Sequence, residues 1–198
     1  MSEASPTRAA VLELKDEQRA MHEGYVFLDE KCLLLAGEIL RELARHAEFD
    51  RSMLAAHQTA IQALQAAVAR HGLADLQVYP ALDQAHAVLA RETRSIMGVR
   101  LQDATWRAGA ETPPPSVATS PEGEACRRAF VAVIAAAARL AAVSGNLERL
   151  SFEYRRSVRR ARALQDVLLP ELDRAVYGIE GRLEELEQED AISMRRRP

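Results

Sequence analysis

Residues 140–186 read LAAVSGNLERLSFEYRRSVRRARALQDVLLPELDRAVYGIEGRLEEL, and this stretch decides the fold. Apolar residues recur at every third or fourth position, with a mean step of about 3.5 residues, and form a stripe along one side of a helix. Only one position of this stripe, Gln165, is polar. The spacing predicts one long amphipathic helix whose apolar face packs against a second helix, as in a coiled coil. The stripe consists of Leu140, Val143, Leu147, Leu150, Tyr154, Val158, Ala161, Gln165, Leu168, Leu172, Ala175, Ile179, Leu183 and Leu186.

The N-terminal part of the chain carries a matching stripe between Val11 and Val68. Its mean step is about 3.6 residues, close to the coiled-coil repeat. Three steps of four residues follow Leu35, a stutter that predicts a locally relaxed supercoil. The positions are Val11, Leu14, Gln18, Met21, Tyr25, Leu28, Cys32, Leu35, Ile39, Leu43, Ala47, Asp50, Leu54, His57, Ile61, Leu64 and Val68.

Glycine and proline mark the ends and one interruption of these helices. Pro6 suits a first helical turn, and Gly72 suits the position directly after a helix that ends at His71. Pro170 lies inside the second helix and lacks a backbone N–H. We therefore expect a bend near residues 166–170.

The two stripes imply a fold. Helices over residues 8–71 and 124–190 would each be roughly 95–100 Å long, and helices of equal length can bury their stripes by packing antiparallel. We predict a mainly α fold: a long antiparallel two-helix coiled-coil hairpin with a short mixed connector. This packing is expected to bring three residues of the first helix against residues 158–175, namely Leu28, Leu35 and Ile39.

The connector is the least regular part of the sequence. Residues 95–106, SIMGVRLQDATW, place Met97, Val99 and Leu101 on one face of a predicted strand. The partner strand of a candidate β-hairpin is either 76–79 or 87–91. Residues 112–123 are rich in Pro and Ser and predict a loop.

We thus expect one rod-shaped domain in three parts. Residues 1–72 form the N-terminal long helix, residues 73–123 the connector, and residues 124–198 the C-terminal long helix with a basic tail.

Composition and charge agree with long helices and exclude several classes of protein. Charged residues make up 28% of the chain and aromatic residues only 5%, which is too few for an ordinary layered core. The net charge of −3 gives no general attraction to nucleic acid or anionic membranes. The first residues lack the apolar core of a signal peptide, and the uncharged apolar run 129–138 is shorter than the ~20 residues of a membrane span. We expect a soluble, cytosolic chain.

The sequence contains no recognisable catalytic chemistry. It has neither a phosphate-binding G-x-x-x-x-G-K-[ST] loop nor a G-x-S-x-G nucleophile motif. No two histidines are spaced for one metal on a helix, and the two cysteines are far apart in sequence, with Cys32 at a stripe position. We predict no catalytic, cofactor-binding or metal-binding residue.

One basic cluster stands out in the second helix, and its members are Arg155, Arg156, Arg159, Arg160 and Arg162. These arginines either pair with acidic residues of the opposite helix or dock a partner protein. Nucleic-acid binding is the third alternative, because no aromatic residues are interleaved with the arginines.

Three segments carry a family resemblance. Residues 6–31, PTRAAVLELKDEQRAMHEGYVFLDEK, residues 96–100, IMGVR, and residues 159–190, RRARALQDVLLPELDRAVYGIEGRLEELEQED, resemble the D subunit of V-type (A/V-type) ATPases. The chain departs from the family at residues 162–165, RALQ, where the family usually has Asn-Ala-Leu-Glu. Its C-terminal tail is also shorter and less Lys-rich.

The resemblance implies a non-catalytic central-stalk rotor subunit. It would couple ATP synthesis or hydrolysis in a hexamer of A and B subunits to proton or sodium transport. The implied partners are the A, B and F subunits and the funnel-shaped adaptor on the membrane rotor ring, without nucleic acid or membrane insertion. The implied location is cytoplasmic, peripheral to the inner (plasma) membrane.

Two other interpretations remain. A generic coiled-coil adaptor or chaperone-like helical hairpin would have the same stripes. The gamma shaft of F-type enzymes is a further rival, although its large α/β domain does not fit a connector of residues 73–123. The resemblance leaves the coupling ion and the direction of the reaction open.

Overall fold

A computed structural model describes residues 7–77, 87–109 and 120–196. Two long helical stretches flank a small antiparallel sheet, which confirms the predicted fold class. The division into residues 1–72, 73–123 and 124–198 as one rod-shaped domain stays a prediction. In chain order the elements are α1 (Arg8–Gln77), β1 (Val88–Ile96), β2 (Val99–Arg107), α2 (Pro121–Ala163), a π-helical turn (Leu164–Leu168) and α3 (Leu169–Arg196).

The chain forms two compact units. The terminal unit comprises Met1–Leu34 and Tyr154–Pro198, and the central unit comprises Leu35–Glu153. In the terminal unit, α1 and α3 run antiparallel, because residues farther along α1 contact residues nearer the start of α3. The contacts are Arg8 with Glu187, Lys15 with Glu180, and Gln18 with Asp173.

The central unit shows the same direction of packing between α1 and α2. The side chain of Asn146 donates to the Glu42 carboxylate, and Arg139 lies over the ring of Phe49, 5.6 Å from its centroid. Farther along α1, Arg70 Nη1 donates to Glu122 at 2.8 Å. The antiparallel arrangement is therefore observed within each unit separately.

The predicted stripe of α1 is correct in its first half and wrong in most of its second. From Val11 to Leu35 all stripe positions are partly or fully buried. Beyond Ile39 most predicted positions are exposed: Leu43, Ala47, Asp50, Leu54, His57 and Ile61. The protected positions there continue a regular seven-residue repeat instead: Glu42, His46, Phe49, Met53, Ala56, Ala60, Ala63 and Ala67.

The predicted stutter is therefore wrong. The prediction failed because the structure buries a charged residue. A purely apolar stripe must avoid Glu42 and shift by one residue to Leu43. The structure buries Glu42 completely and leaves Leu43 48% exposed. Leu35 and Ile39 belong to the central unit and residues 158–175 to the terminal unit, and their expected contact stays a prediction.

The stripe of the second helical stretch agrees better with the structure. Val143, Leu150 and Ala161 are buried, and most other members are partly buried. Three predicted positions are exposed: Gln165, Leu168 and Leu186. The first two lie in the π-helical turn, where the altered winding changes which side chains face the neighbouring helix.

A π-helical turn lies directly before Pro170, where a bend was predicted, and the bend itself stays a prediction. The N–H of Leu169 donates to the carbonyl of Leu164, five residues earlier. Pro170 has no N–H to give, and its ring would crowd the carbonyl four residues before it in a regular α-helix. The wider turn directly before the proline is one of the recognised ways in which a helix accommodates such a residue.

The connector contains the expected β-hairpin, but with different strands. Residues 95–106 are not one strand, because a two-residue turn at Met97 and Gly98 divides them. Both turn residues have positive φ, 48° and 83°, as a type I′ hairpin turn requires. Of the two suggested partner strands, 87–91 overlaps β1, whereas Leu76 lies in α1. Val99 and Leu101 are buried on one face of β2.

The ends of the long helices follow local rules. Gly72 has a φ of 72° and interrupts the helical backbone of α1, in line with the predicted role of this glycine, although helical residues continue to Gln77. Ser120 precedes α2, and its hydroxyl accepts a hydrogen bond from the N–H of Gly123 at 3.0 Å. Residues 112–119 of the Pro/Ser-rich segment lie outside the described residues. The last three residues of the segment, 121–123, are helical and do not form the predicted loop.

Candidate functional site

The candidate functional features are a buried charge network and three surface features. The sequence predicted no catalytic, cofactor or metal residue. Within residues 7–77, 87–109 and 120–196, the structure has no group of three or more His, Cys, Asp or Glu side chains that could hold a metal ion.

The network is built around two glutamates on the packed face of α1. Glu38 and Glu42 are one turn apart and only 2% and 0% exposed. Arg41 Nε donates to Glu38 Oε2, and Arg45 Nη1 donates to Glu42 Oε1, each at 2.6 Å. A buried carboxylate is unfavourable unless its oxygens are paired, and these neighbours on the same helix supply the first partners.

The hairpin supplies a further partner to both glutamates. Arg94 of β1 reaches Glu38 Oε1 and Glu42 Oε1, each at 2.7 Å. Arg45 also pairs with Asp103 of β2. One arginine of β1 and one carboxylate of β2 thus connect the hairpin to α1.

Asn146 of α2 completes the network and is fully buried. Its Nδ2 donates to Glu42 Oε2 at 3.1 Å and to the Gln102 carbonyl at 2.9 Å. Its Oδ1 accepts from the Gln102 N–H at 2.7 Å and from Arg149 at 2.7 Å. The amide therefore pairs with the backbone of β2 as a neighbouring strand would, and it links α2 to the hairpin and to α1 together.

Two groups in the network have perturbed acidity. Burial alone would raise the pKa of the Glu38 carboxyl, but the hydrogen bonds and charges of Arg94 and Arg41 outweigh burial and hold that pKa below its usual value. The hydrogen bond to Asp103 and the contact with Glu42 raise the pKa of Arg45. Both shifts favour the charged forms of Glu38 and Arg45.

Sequence reasoning missed this network. It treated charged residues as markers of the solvent face and had no reason to look for Glu38 or Asn146 in an interface. One signal was available: the seven-residue repeat that starts at Leu35 reaches Glu42 and then Phe49 without any stutter.

The basic cluster of α2 lies on the solvent face of the terminal unit. All five arginines, from Arg155 to Arg162, are exposed. On the same turns of the helix, Ser157 and Ala161 are buried and face inward. Pairing with the opposite helix was one of the alternatives for this cluster. Within the described residues it is absent for four of the five, since no ion pair or hydrogen bond involves Arg155, Arg159, Arg160 or Arg162.

A row of exposed apolar residues follows the outer side of α1 in the central unit. Leu40 is 67% exposed and Leu54 is 57% exposed, and Leu43 and Ile61 are also open to solvent. Leu40, Ala47, Leu54 and Ile61 are spaced by seven residues, which places them on one side of the helix. These four residues together with Leu43 are named the outer apolar row. Contiguous apolar surface of this kind marks interaction sites in soluble proteins.

The terminal unit has a shallow cleft of about 450 Å³ beside the start of α3. Several of its polar side chains are already engaged, because Gln18 pairs with Asp173 across the cleft and Lys15 pairs with Glu180 of α3. The lining residues are Lys15, Gln18, Arg19, His22, Leu169 and Asp173. The cleft offers no unpaired buried group that would select a ligand.

One finding bears on the expected absence of membrane insertion. Among the described residues, the helical stretch Pro121–Arg195 is long and apolar enough to cross a membrane by length and composition alone. The uncharged run 129–138 is too short for such a stretch and predicted none. The Ala-rich sequence on both sides of Arg139 nevertheless keeps the average hydropathy high. Only 17% of its most apolar window is buried, and one such helix is weak evidence for a membrane span.

The comparisons with known proteins agree with one another. A family model that describes the D subunit of ATP synthase matches residues 10–196. The D subunit of the V-type ATP synthase of Thermotoga neapolitana is 24% identical over 193 residues, which cover 97% of this chain and 95% of that protein. The corresponding protein of Anaeromyxobacter dehalogenans is 30% identical, with 99% and 96% covered. The D subunit of the A-type ATP synthase of Pyrococcus horikoshii is 27% identical, with 96% and 91% covered.

The charge network predicts a pH-dependent contribution to stability. Glu38→Gln keeps the shape of the side chain but removes its charge, and it should lower the free energy of unfolding by about 2 kcal/mol at neutral pH. Because the folded-state pKa of Glu38 is depressed, its contribution is complete above the ordinary value of 4.5 and is lost as the pH falls through the depressed pKa. Denaturant unfolding of both proteins across this range measures the difference.

The control is Glu48→Gln, on the exposed side of the same helix, which should change stability by less than about 0.5 kcal/mol. A stability difference between Glu38→Gln and the unmodified chain that stays constant from neutral pH to well below pH 4.5 would contradict the assignment.

Proposed function

We propose that this chain, which belongs to the D-subunit family of ATP synthases, is the central-stalk rotor subunit of its complex. Membership makes it a subunit of an ATP synthase complex. The finer proposal is that it is non-catalytic and couples ATP synthesis or hydrolysis in a hexamer of A and B subunits to proton or sodium transport. The family match over residues 10–196 carries this proposal.

The antiparallel helices support a mechanical role. A shaft that transmits torque must resist separation and twisting of its strands, and continuous side-chain packing between two helices provides that resistance. In the terminal unit three polar contacts tie α1 to α3, and in the central unit Asn146 and Glu42 tie α2 to α1. A chain with this architecture needs no catalytic residue of its own.

A rotor must also present different surfaces around its circumference, so that each catalytic subunit meets a different face as the shaft turns. The π-helical turn at Leu164–Leu168 and Pro170 interrupts one helix, whereas α1 has no interruption before Gly72. The two helices therefore differ in winding as well as in sequence. This inequality supports the asymmetric role.

The proposed partners are the A and B subunits around the termini-bearing part of the chain, and the F subunit with the funnel-shaped adaptor toward the connector. The outer apolar row supports a protein partner on the central unit, because exposed leucines at seven-residue spacing suit a packed interface. We assign this surface to the F subunit. The proposed location is the cytoplasmic side of the inner (plasma) membrane, peripheral to it.

A coupling measurement tests the rotor proposal. Val176→Asp places a carboxylate at a position of α3 that is only 7% exposed. An unpaired buried charge is destabilising by several kcal/mol unless the helices separate, so the terminal unit should loosen. In vesicles that contain the reconstituted complex, we expect a lower ratio of ion pumping to ATP hydrolysis.

The matched control is Gln188→Asp, which adds the same carboxylate at an exposed position of α3 and should leave the ratio unchanged. If Val176→Asp assembles into the complex and both activities equal those of the unmodified complex, the chain is not a torque-bearing shaft. The generic adaptor would then be the better interpretation.

A binding measurement tests the assignment of the F subunit. The pair Leu40→Gln and Leu54→Gln should weaken binding of the F subunit by at least about tenfold, because each removes apolar surface from the proposed contact. Both side chains are exposed in the isolated chain, so its melting temperature should change little. Isothermal titration calorimetry and thermal unfolding measure the two quantities.

Leu12→Gln is the control, since Leu12 is 64% exposed but lies in the terminal unit. The assignment fails if the double variant and the control bind the F subunit with equal affinity. The F subunit should also raise the melting temperature of the unmodified chain, and a mixture that melts at the temperature of the chain alone would count against the interface.

A further inference from the structure

We infer that the open edge of strand β1 pairs with the same edge of a second copy of this chain. The two β1 strands run antiparallel and meet at Thr93, so that a four-stranded sheet forms from two hairpins. The inference concerns the chain outside its complex and does not depend on the proposed rotor function.

The two edges of the hairpin sheet differ. On the β2 edge, the N–H and the carbonyl of Gln102 both bond to the Asn146 side chain, at 2.7 and 2.9 Å. Thr93 lies directly opposite Gln102 in the register of the two strands. Directly opposite residues of an antiparallel pair either bond to each other or both point outward. The N–H and the carbonyl of Thr93 therefore point away from β2, to the other edge.

The outward-pointing backbone groups of β1 recur at every second residue and have no strand beside them. Within residues 7–77, 87–109 and 120–196, no backbone hydrogen bond reaches them from outside the sheet. All residues from Val88 to Ser95 are exposed, and the nine residues of β1 include neither proline nor glycine. An edge of this length without such protection is a template for another strand. The residues concerned are Leu89, Arg91, Thr93 and Ser95.

One side chain of β1 indicates what the added strand must offer. Glu92 lies directly opposite Asp103 of β2, so that two carboxylates face each other across the sheet. Arg45 pairs with Asp103, whereas no ion pair or hydrogen bond involves Glu92 within the part of the chain that the structure describes. A strand that places a cation opposite Glu92 on the open edge is therefore favoured.

A second copy of β1 supplies that cation. When Thr93 lies opposite the second copy's Thr93, Glu92 of each copy lies opposite the second copy's Arg94 in a close cross-strand pair. Arg94 binds Glu38 and Glu42 of its own chain but remains 41% exposed, so its guanidinium is still accessible. The contact is the same in both directions, as a twofold interface requires.

The charges of β1 also select this register over its neighbours. An antiparallel ladder can shift only in steps that keep the outward-pointing groups opposite one another. The neighbouring registers place Arg91, Glu92 or Arg94 opposite its own copy, and like charges directly opposite are destabilising. In the register centred on Thr93, the uncharged threonines meet each other and both Glu92 side chains meet an arginine.

Sedimentation equilibrium of the full-length chain tests the inference. Thr93→Pro removes the outward N–H at the centre of the proposed contact without removing a hydrogen bond to β2. Ala104→Pro is the matched control, because Ala104 lies two residues from Gln102 and its N–H points outward on the β2 edge. We expect a concentration-dependent dimer between about 1 and about 300 μM, the range of a weak interface.

The dimer dissociation constant should rise at least roughly tenfold for Thr93→Pro and stay within about twofold for Ala104→Pro. Glu92→Arg should also raise it at least roughly tenfold, because two arginines then face each other. The exposed Glu48→Arg is the control for that change of charge and should leave the dissociation constant unchanged. Circular dichroism compares the folding of all variants with that of the unmodified chain.

Cross-linking tests the register itself. In a chain that carries Cys32→Ser and Cys126→Ser, Thr93→Cys should form a disulfide-linked dimer under mild oxidation. The two Cα atoms would be about 5.5 Å apart, within the range of a disulfide. Ser95→Cys is the control, because it would lie opposite the second copy's Arg91 and more than roughly 10 Å from its own counterpart. It should cross-link at least roughly tenfold more slowly.

Several outcomes overturn the inference. A chain that remains monomeric over the whole concentration range has no such contact. A dimer that Thr93→Pro leaves unchanged, but that the pair Leu40→Gln and Leu54→Gln abolishes, uses the outer apolar row instead of the strand edge. Equal cross-linking of Thr93→Cys and Ser95→Cys contradicts the proposed register.

Discussion

The central unit depends on pairing two carboxylates that its helix packing buries. Glu38 and Glu42 lie on the face of α1 that meets its neighbours, and neither is accessible to water. An unpaired carboxylate in that position would be destabilising enough to separate the helices or to become protonated. Partners must therefore come from every element around them.

That requirement explains the placement of the hairpin. Arg94 of β1 binds both glutamates, and Asn146 of α2 binds Glu42 and the backbone of β2. A two-stranded sheet is marginal on its own, and β1 is almost entirely exposed. The ionic and amide contacts, together with buried Val99 and Leu101, hold the hairpin against the helices. Breaking a buried pair of this kind is far more unfavourable than breaking a surface ion pair, so the network specifies one position of the hairpin.

Much of this architecture could be predicted from the spacing of apolar residues alone, and particular residues show where such prediction fails. The periodicity from Val11 to Leu35 gave the packed face of α1, and Pro170 pointed to the interruption that is observed as a π-helical turn. A pattern restricted to apolar residues failed at Glu42, because burial of a charge is decided by distant partners such as Arg94 and Asn146. The turn at Met97 was missed because methionine rarely adopts positive φ, although the following Gly98 is typical of a hairpin turn. The arginines from 155 to 162 were identified as a cluster, but only the structure shows that Arg155, Arg159, Arg160 and Arg162 have no ion pair or hydrogen bond among the described residues.

The rotor account is tested most directly by observing rotation. A bead attached to Cys at position 93, introduced as Thr93→Cys on the exposed strand β1 in a chain that also carries Cys32→Ser and Cys126→Ser, reports the motion of the shaft in a surface-immobilised A/B hexamer. The account predicts unidirectional rotation of the bead that begins on addition of ATP and stops when ATP is removed. Steady ATP hydrolysis by assembled complexes whose beads remain stationary or only fluctuate would contradict it.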